Sequence, residues 1–138
     1  MDVTDKLNMT MLCDFYELTM GNGYFEAGLQ NRITYFDVFF REIPDHGGYA
    51  ICAGLDRIID YILDLHFSEE DIAYLRSKGL FSEAFLSYLR NFHFTGDIWA
   101  IPEGTPIFPR EPILTVRAPA IQAQLIETFA LLCLNHQS

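Results

Sequence analysis

The stretch "TMLCDFYELTMGNGYFEAG", residues 10–28, sets Asp14 two residues ahead of Tyr16 where a helix should start. The first turn of a helix carries unpaired N–H groups and a partial positive charge. A tyrosine there can offer its ring face to a planar ligand, and an aspartate can orient a hydroxyl or a ring N–H. The same two residues equally suit a plain structural part: Asp14 as N-cap, Tyr16 as a core or interface aromatic. Arg41, at the end of a strongly apolar run and ahead of the loop "IPDHGGYA", is the third candidate. Its fork of donors fits phosphate oxygens, and it fits equally an ion pair with Asp37 or Glu42. Gly47 and Gly48 add only a weak anion-turn signal. His46, His66, His93 and His136 show no metal-pair spacing. GxSxG, P-loop and GxGxxG patterns are all missing. No catalytic or metal-ligating residue is therefore assigned.

The chain has 138 residues, half of them hydrophobic and 14% aromatic, enough for one packed domain. Nine basic residues stand against nineteen acidic ones, for a formal charge of -10. Phosphate backbones and anionic lipids both call for clustered Lys and Arg, so neither nucleic acid nor a membrane surface is an expected partner. Cys13, Cys52 and Cys133 are odd in number, without CxxC spacing, and read as buried free thiols. The first residues, "MDVTDKLNMTML", lack the basic-then-apolar order of a secretory signal, and no stretch is apolar enough to span a bilayer. The expected location is the cytoplasm.

Several elements must position the candidates. Asp14 to Ala27 reads as the first helix, with Asp14 and Glu17 as a capping box and Gly28 as the stop. Gly21 and Gly23 within it suit close approach of another backbone. "RITYFDVFFRE", Arg32 to Glu42, is apolar on both faces and predicts a central, covered strand. "CAGLDRIIDYILDL" is helical by the spacing of Leu55, Ile58, Ile59, Ile62 and Leu63. "SEEDIAYLRSKG" and "SEAFLSYLRNF" are two short helices, each with a Ser N-cap and early acidic residues. Residues 96–119 hold five of the six prolines. They predict a small antiparallel β unit with strands near 98–101, 106–108 and 113–116 and turns at "PEGT" and "PREP". Biotin- and lipoyl-carrying modules are similarly hairpin-rich, but they need a lysine at a hairpin tip, and no lysine lies between Gly79 and Ser138.

Residues 119–138 read as a final helix. Its later part, Phe129 to Leu134, is one continuous apolar run, and a helix apolar all round must be covered on all sides. The expectation is a chain that is part of something longer; a frayed tail or an oligomer interface is the plainer alternative.

Four blocks carry a resemblance: "DFYELTMGNGYFEAG", "YFDVFFREIPDHGGYAICAGL", "FSEEDIAYLRSKGLFSEAFLSYLRNFHFTGDIWAIPEGTPIFPREPILTV" and "QAQLIETFALLCLN". In order, and from about Leu12 to the end, they resemble the N-terminal part of nicotinate phosphoribosyltransferase. The related nicotinamide enzyme shares the Asp-x-Tyr feature. The fold so implied is α+β: an N-terminal helix, a central strand, a helical cluster and a small antiparallel β unit. It is a single N-terminal domain over 1–138 of a type II phosphoribosyltransferase whose α/β barrel is missing here.

The resemblance also implies a reaction. The nicotinate ring nitrogen attacks the anomeric carbon of phosphoribosyl pyrophosphate, pyrophosphate leaves, and nicotinate mononucleotide forms for NAD biosynthesis by salvage. ATP hydrolysis is coupled through a phosphorylated histidine, with Mg²⁺ on the phosphates. By resemblance, Tyr16 stacks on nicotinate across a homodimer interface, Asp14 is the acidic residue beside it, and Arg41 is a strand-end phosphate contact after a one-residue shift. The catalytic histidine belongs to the missing barrel and is not His136, so the fragment is expected to be inactive alone. The alternative is a non-catalytic dimerisation or interaction module derived from that enzyme.

Overall fold

The computed structural model describes residues 7–138, so the reading of the extreme N-terminus as no secretory signal falls largely outside the described residues. Helix α1 spans Phe15–Glu26 and is followed by strand β1, Ile33–Val38. A single 3-10 turn at Pro44–His46 leads to the short strand β2, Ala50–Ile51. Helices α2 (Leu55–Leu63), α3 (Glu69–Ser77) and α4 (Glu83–Arg90) form the helical cluster. Then come β3 (Asp97–Ala100), β4 (Pro106–Ile107), β5 (Leu114–Pro119), α5 (Ala120–Leu125) and α6 (Glu127–Gln137). The expected α+β class is the one observed.

The cluster follows its local signals closely. Ser68 caps α3 with a reciprocal capping box: its hydroxyl accepts from the Asp71 N–H at 3.1 Å, and its own N–H donates to the Asp71 carboxylate at 2.9 Å. Ser82 caps α4 by accepting from the Phe85 N–H. Arg76 with Glu83 and Arg90 with Glu69 form two-pronged ion pairs over the outside. Ile72, Leu75, Phe85 and Leu89 are fully buried beneath them.

The strands depart from expectation in one respect. β1 forms where predicted, but it lies at the edge of a three-stranded antiparallel sheet of order β1-β5-β3. The centre is β5, whose Leu114, Val116 and Ala118 alternate inward. β1 is apolar on both faces, yet Tyr35 is 66% exposed; apolar content does not guarantee cover, since much of any protein surface is apolar. The proline-rich unit is also divided. β3 and β5 pair with each other, whereas β4 pairs with β2, a strand inside what reads as a loop.

The expected helix over 119–138 is two helices, bent at Ile126. The Tyr61 hydroxyl donates to the Leu125 carbonyl at the bend, and its ring stacks on Phe129 at 4.0 Å between centroids. The bend lets α5 bury all six of its residues among α1, β1 and β5. α6 is less covered: Ala130 and Leu134 are buried, but Leu132 is half exposed. Gly21 is buried on α1 and faces the side chains of Phe85 and Ile121, while Gly23 is exposed. Gly54 starts α2 at φ 104, and a Cβ there would fall 2.8 Å from the Cys133 carbonyl oxygen of α6. The α2–α6 approach therefore requires glycine at this position.

Cys52 is buried, and Cys13 and Cys133 are half-buried; all three are free thiols. Burial pushes the Cys13 thiol up to about 12, with Glu17 and Asp14 adding to the effect, so it is an inert packing group. Among the described residues, no helix is long and apolar enough to cross a membrane.

Candidate functional site

The first turns of α1 and α6 meet, although 111 residues separate their contacting side chains. Asp14 is the N-cap by backbone geometry, but its carboxylate makes no cap hydrogen bond. The capping box expected between Asp14 and Glu17 is thus not formed. Glu17 points inward and is completely buried. Its Oε1 accepts from the Thr128 hydroxyl at 2.6 Å, and its Oε2 has no partner. Thr128 Oγ1 also lies 3.4 Å from an Asp14 oxygen. A hydroxyl has one hydrogen to give, so the shorter contact to Glu17 is the principal one.

Loss of hydration pushes the Glu17 carboxyl up to about 7. The Thr128 hydrogen bond works against this, and the neighbouring Glu127 and Asp14 carboxylates add to it. The carboxyl therefore keeps its proton to a higher pH than an exposed glutamate does.

Tyr16 points the other way. It is 46% exposed, and its hydroxyl donates to Glu127 Oε1 at 3.3 Å. Burial of part of the ring, then the Glu127 carboxylate, raises its phenol above the ordinary tyrosine value. The adjacent Phe15 leans on Phe81, edge to face at 5.9 Å. The two aromatics opening α1 are about equally exposed; Phe15 leans on a ring, and Tyr16 is held at its hydroxyl.

Arg41 is exposed, just past the end of β1. It precedes the 3-10 turn, in which Asp45 and His46 both adopt positive φ. Its neighbour Phe40 lines a small crevice with Leu131, Leu134 and Asn135, one to two turns along α6 from the residue that holds Tyr16. Asp14 and Tyr16 thus both reach the start of α6, through Thr128 and Glu127, whereas Arg41 makes no hydrogen bond or ion pair with either. Glu127 and Thr128, which complete the junction, carry no local signal in "QLIETFALL", because their partners are remote in sequence. Among the described residues, no cluster of three or more His, Cys, Asp or Glu side chains could hold a metal ion.

Comparison with known proteins decides the family. Residues 11–135 match the model of the nicotinate phosphoribosyltransferase N-terminal domain. The chain belongs to that family. It is 43% identical over 128 residues to a nicotinate phosphoribosyltransferase of Mycobacterium tuberculosis, covering 93% of this chain and 27% of that protein. The Bacillus subtilis nicotinate phosphoribosyltransferase is 37% identical over 131 residues, covering 95% of this chain and 27% of its own length. The crystal structure of human nicotinic acid phosphoribosyltransferase superposes with a TM-score of 0.81 at 32% identity, over 88% of this chain and 25% of that one. The chain thus spans about a quarter of the length of the relatives it matches. Its α+β architecture is that of the N-terminal part of a nicotinate phosphoribosyltransferase.

Proposed function

We propose that these residues are the substrate-lending domain of an enzyme that makes nicotinate mononucleotide from nicotinate and phosphoribosyl pyrophosphate, in NAD biosynthesis by salvage. The observation that carries this reading is Tyr16: in a domain of this family, it stands half exposed on the first turn of α1. Stacking on Tyr16 would hold the pyridine ring in line with the anomeric carbon, and such positioning is a large part of the acceleration of a two-substrate reaction. The ring would be lent across a homodimer to the partner's site. Asp14 would sit beside it as a polar orienting group, and Arg41 would reach a phosphate. ATP and Mg²⁺ belong to the proposal for a chain of the relatives' length. The described residues offer no cluster of three or more His, Cys, Asp or Glu side chains that could hold a metal ion. The cytoplasm is the proposed location.

The test is a turnover assay with nicotinate, phosphoribosyl pyrophosphate, ATP and Mg²⁺, with product detected by mass spectrometry. The 138-residue chain alone should give none. The same chain joined in frame to the Bacillus subtilis enzyme beyond its matched residues should give product. In that joined enzyme Tyr16→Ala should raise KM for nicotinate about tenfold, the upper end of the factor for losing an aromatic stack. An unchanged KM removes the stacking role.

A second reading, a non-catalytic dimerisation or interaction module, is favoured by exposed apolar side chains at Leu132 on α6 and at Tyr35 and Trp99 on the sheet. A monomer at high concentration that binds no apolar dye would count against it.

A further inference from the structure

We infer that Glu127 and Thr128, the first two residues of α6, are positioning residues for Tyr16: Glu127 holds the tip of its ring, and Thr128 anchors the next residue of its helix through Glu17. The inference rests on the reading of Tyr16 as the residue that receives the planar substrate. Consecutive residues of α1 are each gripped by one of two consecutive residues of α6, at 3.3 Å and 2.6 Å. A half-exposed tyrosine otherwise samples several rotamers, and ordering it at the moment of binding lowers affinity. A hydrogen bond at the hydroxyl fixes where the ring lies, provided that its acceptor is itself fixed. Glu127 stands in the first turn of α6, where the helix dipole favours a carboxylate. The bend at Ile126, tied by Tyr61, sets the direction in which that turn points.

Packing alone does not account for the arrangement. Burying Glu17 with one oxygen unpartnered is costly, and an aliphatic residue of similar size would fill the same space without that cost. The carboxyl is needed only as the acceptor that locks Thr128, and hence α6, onto the turn that bears Tyr16.

The experiment has two arms. In the 138-residue chain, the Tyr16 χ1 populations are measured by NMR couplings and ring ¹³C relaxation. Wild type should show one dominant rotamer. Glu127→Ala and Thr128→Val should spread it over several, and Glu127→Gln and Thr128→Ser should restore it, since each keeps the hydrogen-bonding group. Glu127 is exposed, so its variants fold even if a Thr128 variant does not. The same rotamer populations in every variant would overturn the inference. In the joined enzyme, Glu127→Ala and Thr128→Val should raise KM for nicotinate about three- to tenfold, the factor carried by one hydrogen bond, with kcat within twofold. Neither should add to the effect of Tyr16→Ala. Additive effects would mean that the two residues act elsewhere, and would overturn the inference while leaving Tyr16's role intact. A Tyr16→Ala enzyme with unchanged KM would overturn the reading of Tyr16 itself, and the inference with it.

Discussion

The α3–α4 pair and the α1–α6 junction are built from the same materials, helix starts with acidic residues, and use them in opposite ways. In α3 and α4 the serines cap, and the carboxylates face water, pair with arginine or, for Asp71, close a capping box. At the junction the cap residue makes no cap bond and a carboxylate goes inside. Natural sequences obey local rules where only folding is at stake and break them where a group must be presented or held. The contrast locates function within the domain more sharply than composition does.

The largest expected effect tests the packing half of the contrast. Phe85 is fully buried and touches the rings of Phe25, Phe81 and Tyr88. Phe85→Ala should cost about 3–5 kcal/mol of stability, read from urea unfolding. Tyr16→Ala should stay within about 0.5 kcal/mol, as surface changes usually do, while damaging substrate binding in the joined enzyme. If Tyr16→Ala were the more destabilising of the two, the ring would be a core residue and the distinction between the regions would fail.

Next in size is a pH effect at the junction. The folded state holds the Glu17 proton up to about 7, above the ordinary carboxyl value. The folded chain therefore binds this proton more tightly than the unfolded chain does. Its contribution is fully present below the ordinary value and is lost as pH rises toward 7. Glu17→Gln cannot ionise, so its stability relative to wild type should climb across that window and level off above it. Melting temperatures of both proteins from pH 4 to pH 8 give the comparison; parallel curves would mean that Glu17 titrates normally and is not buried in solution.

Which parts were legible follows the same division. The helices of the cluster could be read from Ser68, Ser82, the acidic residues after them and the spacing of Leu55, Ile58, Ile59, Ile62 and Leu63, because caps and periodicity are local. Asp14 and Tyr16 could be singled out by their place at a helix start and by resemblance. The true acceptor of Thr128 could not, because a capping box and a buried Glu17 are written with the same letters. The edge position of β1 was hidden for a related reason: strand order depends on pairing with residues 114–119, and apolar content is blind to it. The bend at Ile126 has no proline or glycine to announce it; Tyr61, 65 residues away, meets it from α2.

The smallest expected effect compares the two N-caps directly. Ser68 makes both bonds of a capping box, so Ser68→Ala should cost about 1 kcal/mol. Asp14 makes no side-chain cap bond and stands near the carboxylates of Glu17 and Glu127. Removing it loses only the long 3.4 Å contact with Thr128 and relieves like-charge repulsion. Asp14→Ala should therefore change stability by less than about 0.5 kcal/mol, and any shift should favour ionisation of Glu17. A loss as large as that of Ser68→Ala would show that Asp14 caps α1 in solution. In that case the start of α1 would follow the same rule as α3, and Asp14 would have a structural reason to be there. If stability holds, its reason lies in what Tyr16 meets.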